Sequence, residues 1–119
     1  MRYFTPSHEW IEVEGKKGTV GITDHAQKEL GDIVFIELPK VGQEVAMGDE
    51  TAVLESTKAA ADTYAPISGK IAEINIAVKN TPSLINENAE GAGWLYKMEL
   101  SNLDECSRLL KREQYEKLL

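Results

Sequence analysis

The sequence predicts a mainly β fold, a sandwich or flattened barrel with a short helix in its first half and another at its C-terminus. Short β-prone runs recur along the chain with turn residues closely spaced between them. Helical signals occur only around residue 24 and after residue 101. The 119 residues, 42% of them apolar, suffice for one small core and suggest a single domain spanning 1–119.

Gly18-Thr19-Val20-Gly21-Ile22 reads as a strand. Asp24 with Gln27 three residues later makes a capping box, and Gly31 can close the short helix it starts. Ile33 to Leu38 is an almost unbroken apolar run ended by Pro39 and Gly42, the pattern of a strand buried on both faces. Val53 to Thr57 and the stretch up to Pro66 favour extended chain on either side of Lys58, so this lysine should stand at a hairpin tip. Gly42 and Gly69 read as turn glycines flanking that hairpin. Ala72, Ile74 and Ile76 alternate with Glu73 and Asn75, as in a strand with one face in the core and one in water. Trp94 to Leu100 supplies a further strand, placing Trp94, like Trp10 earlier, among core aromatics. Leu103, Cys106, Leu109 and Leu110 then recur at helical spacing behind an Asn102/Glu105 capping box, predicting a helical segment over about 102–119 packed on the sheets.

Composition excludes several function classes. A net charge of −7 with scattered bases disfavours nucleic acid, whose phosphates need clustered Lys and Arg. No apolar stretch approaches the length of a membrane span, and Met1 lies only a few residues before the first motif, so the expectation is a cytoplasmic protein without a leader or membrane contact. Cys106 is the only cysteine, so any dithiol chemistry must arrive with a cofactor. His8 beside Glu9 resembles a base with its orienting carboxylate, but neighbours on a strand point to opposite faces and no Ser or Cys nucleophile accompanies them. His8 and His25 likewise lack a third metal ligand at useful spacing. No catalytic or metal-binding residue is assigned, and His8 and His25 are expected to serve structure.

Lys58 is the exception. Small alanines beside it leave its amine open to an enzyme, and it is the only base between residues 41 and 69, among Asp49, Glu50, Glu55 and Asp62. That acidic surround reads either as an ordinary wet face or as a landing surface for basic patches on partner enzymes.

The Glu55-Ser56-Thr57-Lys58-Ala59 segment, with Asp62 four residues on from the lysine, resembles the lipoylation site of the glycine cleavage H-protein family. Ser7-His8-Glu9-Trp10, Gly21 to Gln27, Leu30 to Pro39, Pro66 to Gly69, Asn75, Pro82, Asn86 and Gly93-Trp94-Leu95 continue the match in order. The resemblance implies a barrel-sandwich hybrid of the lipoyl and biotinyl type, consistent with a faint repeat of Gly31–Ile36 at Gly69–Ile74. It implies lipoate in amide linkage to Lys58, and a bacterial carrier rather than an enzyme. As that family works, a pyridoxal-phosphate glycine decarboxylase (P protein) would pass an aminomethyl group to the arm and a tetrahydrofolate-dependent aminomethyltransferase (T protein) would take it. Dihydrolipoyl dehydrogenase (L protein) would restore the disulfide. Glu55 is implied in recognition by the lipoylating enzyme, and Ser7, Glu9 and Asp62 in a groove for the loaded arm.

Other readings stay open at this point. Ser7 could brace its turn, Glu9 could be a surface charge, and Asp62 could stabilise the hairpin. Methionines usually flank the lysine of biotin carriers, whereas Thr57 and Ala59 flank this one. Lipoyl domains of 2-oxoacid dehydrogenases usually carry an acidic residue where Thr57 stands. An H-like relay or redox carrier for another lipoate pathway is the main alternative, and an unmodified interaction module is another. Where the family commonly has proline and tyrosine this chain has Ala89 and Glu90, which places partner docking by that loop in question. A histidine found in some members is here Glu29. The carrier is expected to be monomeric.

Overall fold

Alternating runs close into hairpins wherever a turn residue permits. In the computed structural model, which describes residues 1–119, β1 (Arg2–Phe4), β2 (Glu9–Glu14) and β3 (Lys17–Ile22) form an antiparallel meander. Gly15, at φ 59°, makes the tight β2–β3 turn. The chain then runs through α1 (Asp24–Leu30), β4 (Ile33–Glu37), β5 (Glu44–Val45), β6 (Glu50–Ser56), β7 (Ala60–Tyr64) and β8 (Gly69–Ile74). Two short helices, α2 (Ile76–Asn80) and α3 (Ser83–Asn88), precede β9 (Tyr96–Leu100), a 3-10 turn (Leu103–Arg108) and α4 (Arg112–Glu116). Six strands form one antiparallel sheet in the order β1-β2-β3-β9-β8-β5, and β4-β6-β7 form a second. The expected β sandwich with an early short helix and C-terminal helix is the observed architecture. Between the sheets lies a core including Ile11, Val20, Leu54, Ile67, Ile71, Tyr96 and Met98. Phe4, Trp10 and Tyr115 form a second cluster, where Phe4 and Tyr115 stack with ring centroids 5.0 Å apart.

Several local expectations are corrected. The N-cap of α1 is Thr23, whose hydroxyl accepts from Ala26 N–H; the Gln27 amide bonds to Asp24 instead of returning to a cap. Gly31 closes the helix as expected. β4 is buried on one face only, because a bulge between Ile33 and Phe35 turns Val34 and Phe35 outward while Ile33 and Ile36 face the core. In β8 the core residue is Ile71, not Ala72, since a second bulge between Ile71 and Glu73 shifts the alternation. Asn75 leaves the strand altogether. Its side chain accepts from Ala77 N–H to cap α2, and its amide donates to the carbonyls of Ala92 and Trp94. α2 and α3, absent from the sequence prediction, bury Val78 and Ile85 into the core.

The C-terminal region is not one helix. Asn102 caps only a 3-10 turn, and Glu105 reaches across to Ser68, accepting from its N–H at 2.7 Å and its hydroxyl at 3.0 Å. Leu110 then pairs with Phe4 as a β-bridge before α4 begins. Leu103 is exposed, so the anchoring falls to Leu109 and Tyr115. The last long strand starts at Tyr96, leaving Trp94 outside it and only half-buried, with Lys97 Nζ 4.9 Å from its ring, while Trp10 is buried as expected.

Gly42 is the turn glycine expected, at φ 91°. Gly69 has a different reason to be glycine: it lies inside the sheet between Val45 and Leu100, and a Cβ there would collide with the Glu99 carbonyl oxygen. Backbone cannot step aside in mid-sheet, so Gly69→Ala should cost about 2 kcal/mol or more. The check is a lower urea midpoint with an unchanged slope.

Candidate functional site

A lysine is useful as an attachment point only if its backbone is fixed and its side chain is free. The β6–β7 pairing brings Glu55 opposite Ala60 and leaves Lys58 exposed at the tip. Ser56 organises the turn. Its hydroxyl accepts from the N–H groups of Lys58 (3.1 Å) and Ala59 (3.0 Å), and its own N–H donates to the Ala59 carbonyl at 2.8 Å.

The tip is also tied to the body of the protein. Thr57 N–H donates to the Asp32 carbonyl at 3.1 Å. Around that corner Asn86 clamps the α1–β4 connection: its amide donates to the Gly31 carbonyl (2.8 Å) and to Gln27 Oε1 (3.0 Å), and its Oδ1 accepts from Ile33 N–H (2.9 Å). Gly31, at φ 77°, gives the lysine stem a smooth floor, since a Cβ on it would come within 3.4 Å of Lys58 Cε.

Beside this corner a groove of about 300 Å³ opens between the N-terminal turn, one side of α1 and the edge of β7. Ile22 and Leu54 contribute apolar floor, and Ala26 and Leu30 add to it from α1. Ser7, Glu9 and Asp62 all line it, so the structure gathers three of the residues singled out in the sequence. Lys58 stands outside it, adjoining through Gly31, the residue after Leu30. Glu55 lies away from the groove, exposed on β6 opposite Phe35.

The three groove residues differ in kind. Glu9 is no surface charge: it is 2% exposed, and its Oε1 accepts from the hydroxyls of Thr5 and of Ser7, the latter at 2.6 Å. Its Oε2 accepts from Tyr64 N–H at 3.3 Å, which joins the N-terminal turn to β7. Ser7 therefore braces Glu9. Asp62 is exposed, and its carboxylate makes no hydrogen bond or ion pair within the chain. It does not hold the hairpin together; it is left available to the groove.

The histidines, expected from sequence to serve structure, line the same groove together with Glu29. His8 adopts φ 70°, the one positive φ of a non-glycine residue here, and its Nδ1 lies 2.7 Å from the Tyr115 hydroxyl. That hydroxyl also bonds to Thr23 Oγ1 at 2.7 Å. The His8 and His25 rings lie 4.8 Å apart, and His25 Nε2 is 3.2 Å from Glu29. Burial lowers the His8 pKa and the neighbouring His25 lowers it further, while burial raises that of Tyr115. His8 bonds to Tyr115 while Glu9 is engaged by Thr5, Ser7 and Tyr64, so the two do not form a catalytic pair. No local signal links His8 to Tyr115, which is 107 residues away.

Comparison with known proteins gives one consistent answer. The family described as "Glycine cleavage H-protein" matches residues 2–119. A glycine cleavage system H protein from Carboxydothermus hydrogenoformans is 56% identical over 116 residues, covering 98% of this chain and 89% of that one. One from Thermotoga maritima is 52% identical, covering 98% and 94%. The crystal structure of a glycine cleavage system H protein from Mycobacterium marinum superposes with a TM-score of 0.90 at 38% identity, covering 98% of this chain and 94% of that one.

Two measurements test the site's construction. Ser56→Ala should lower stability by about 1 kcal/mol and speed amide hydrogen exchange at Lys58 and Ala59 selectively, because both amides lose their acceptor. His8 contributes to the pH dependence of stability. Its folded pKa lies below the ordinary 6.5, so the unfolded chain takes up the proton first. The stabilisation is complete above pH 6.5 and is lost as the pH falls from there through the folded value. His8→Asn, which tolerates positive φ, should flatten this decline in denaturation midpoints measured across that range.

Proposed function

The chain belongs to the glycine cleavage H-protein family, and from that membership we propose a carrier whose cofactor is lipoate in amide linkage to Lys58. The protein serves as the carrier of the glycine cleavage system. The observation that supports the attachment site best is the presentation of Lys58: a pinned backbone, an exposed amine and a groove beside it. No helix is long and apolar enough to cross a membrane.

The residues present fit a lipoyl arm. Its hydrocarbon suits the apolar floor given by Ile22, Leu54 and Leu30, and its polar end suits Ser7, Glu9 and Asp62. When attached, lipoate supplies a disulfide that takes up a one-carbon amine fragment and two electrons, chemistry that no side chain of this protein offers. Lys58 acts as the anchor, neither a base nor a Schiff-base former. Asp62, free of internal partners, offers a carboxylate to a cationic amine. Glu9, fixed by two hydroxyls and a backbone N–H, holds its charge in one position at the groove wall without reorganising. The floor excludes water from one side of whatever lies there. Glu55 is offered to the lipoylating enzyme: it is exposed, three residues before the lysine, with no partner within the chain.

The enzymes this carrier serves are proposed to be a glycine decarboxylase, a tetrahydrofolate-dependent aminomethyltransferase and dihydrolipoyl dehydrogenase. The protein itself is proposed to be non-catalytic.

The deciding experiment is lipoylation followed by intact mass and peptide mapping. Wild type should gain one lipoyl group, on Lys58. Lys58→Arg should melt at nearly the same temperature, because the side chain is exposed, yet gain no mass and support no glycine cleavage when reconstituted with the three enzymes. Lipoate on another lysine, or cleavage supported by Lys58→Arg, would refute the assignment.

A further inference from the structure

The outer face of the three-stranded sheet carries an aromatic ring that the fold does not bury. Phe35 is 51% exposed and Val34 56%, both turned outward by the bulge in β4. Phe35 stands directly opposite Glu55 in the β4–β6 register, and Ile33 opposite Ser56, so the ring lies close to the turn displaying Lys58. Glu37, two residues along β4, is exposed, and neither Glu37 nor Glu55 makes an ion pair within the chain. Phe35 also borders a shallow groove that it shares with Val41, Ile74, Lys40 and Lys79. Along β4 and the facing part of β6, the surface therefore has an apolar centre at Val34 and Phe35 with the carboxylates of Glu37 and Glu55 beside it.

We propose that Val34, Phe35, Glu37 and Glu55 form the docking surface for the enzyme that acylates Lys58, which meets it with an apolar recess for Phe35 ringed by basic side chains. This rests on Lys58 being the carrier lysine, and adds the face by which its modifying enzyme approaches. Reach selects the occupant. The amine of an unmodified lysine lies only about 6 Å from its Cα, so an enzyme acting on it must press against the residues around the turn. Enzymes working at the end of an attached arm stand off by the arm's length and have no need of Phe35.

Position and charge agree with this occupant. The Thr57–Asp32 hydrogen bond ties the hairpin tip to the residues leading into β4, so a protein seated on Phe35 finds Lys58 at a fixed offset. Carboxylates at the rim attract a basic partner over distance, and an exposed aromatic ring supplies the central anchor that typically dominates an interface. The reaction then proceeds in the ordinary way: Nζ attacks the acyl carbon of an activated donor such as an acyl adenylate. The amide bond forms, the phosphate leaving group departs with the electron pair, and the amine gives up a proton.

The test uses a lipoate ligase with ATP and lipoate, following the intact mass of the carrier against time. Phe35→Ser should lower kcat/KM for lipoylation by about tenfold, chiefly through KM, whereas Phe35→Leu should stay within about threefold of wild type. Glu37→Lys should also slow modification and weaken its dependence on salt. This exposed position keeps the test decisive should Phe35→Ser prove unstable. Ligase affinity for Lys58→Arg, which cannot turn over, should weaken when Phe35→Ser is added. Once fully lipoylated, Phe35→Ser should be reduced by dihydrolipoyl dehydrogenase at the wild-type rate.

Wild-type lipoylation rates in folded Phe35→Ser and in Glu37→Lys would overturn the proposal. So would an equal slowing of the dehydrogenase, or self-association through Phe35 in sedimentation, which would make the patch an interface between copies. Failure of wild type to be modified at Lys58 would instead refute the carrier reading itself.

Discussion

A carboxylate with almost no exposure sets the terms for one end of this molecule. Removing Glu9 from water is costly, and the cost is tolerable only because several donors converge on it. Thr5 and Ser7 supply hydroxyls from the same turn, and Tyr64 supplies an N–H from β7. Each donor fixes a segment. The N-terminal turn is held in shape by its own polar side chains, and its seat on β7 follows from the Tyr64 contact. The groove between them therefore exists as a rigid feature rather than one that forms on demand.

The opposite wall, α1, is held by the C-terminus. Ala26 N–H donates to Thr23 Oγ1, which shares a hydrogen bond with the Tyr115 hydroxyl, which in turn meets His8. A short terminal helix that buries little besides Tyr115 thus joins the helix cap to the N-terminal turn. Glu90 works in parallel. It accepts from Asp24 N–H at 2.9 Å and pairs with Arg112 at 2.8 Å, while its carbonyl accepts from Arg2 at 2.9 Å. Ala89 is buried, and its carbonyl takes the Trp10 indole N–H at 3.0 Å. The Ala89-Glu90 pair, read from sequence as a departure bearing on docking, is here a junction among β1, α1 and α4.

What was legible in the sequence was what depends on near neighbours. The β6–β7 hairpin, the Lys58 tip, the short helix closed by Gly31 and most strands follow from alternation and turn residues within a few positions. The errors arise where a distant partner decides. Val34 and Phe35 look like core until the bulge against β6 turns them outward. Asn75 looks like the wet side of a strand until Ala92 and Trp94 claim its amide. The helical spacing after Ser101 was real, yet Glu105 was drawn away to Ser68 and Leu110 into a bridge with Phe4, breaking one helix into two short pieces. At the site, Ser7, Glu9 and Asp62 could be named from family resemblance. That Glu9 is buried and Asp62 free could not, because burial depends on which segments meet.

The division of labour between these carboxylates follows from their different freedom. A group whose lone pairs are already met by three donors holds its position when cargo arrives, but it has limited capacity for a new hydrogen bond. Asp62, with none of its acceptors engaged, can in the proposed function turn to meet an incoming amine at the expense of side-chain entropy. The pair thus combines a fixed charge with an adaptable one. The same logic runs through the proposed attachment point. The hydrogen bonds around Lys58, from Ser56, Asp32 and the Asn86 clamp, fix the backbone of the turn and its surroundings, and none is made by its amine. A carrier has to release its arm to one surface after another, so a side chain held by the protein would oppose each transfer. Rigidity up to Cα and freedom beyond it let the position of the anchor be defined while the reach of the arm stays open.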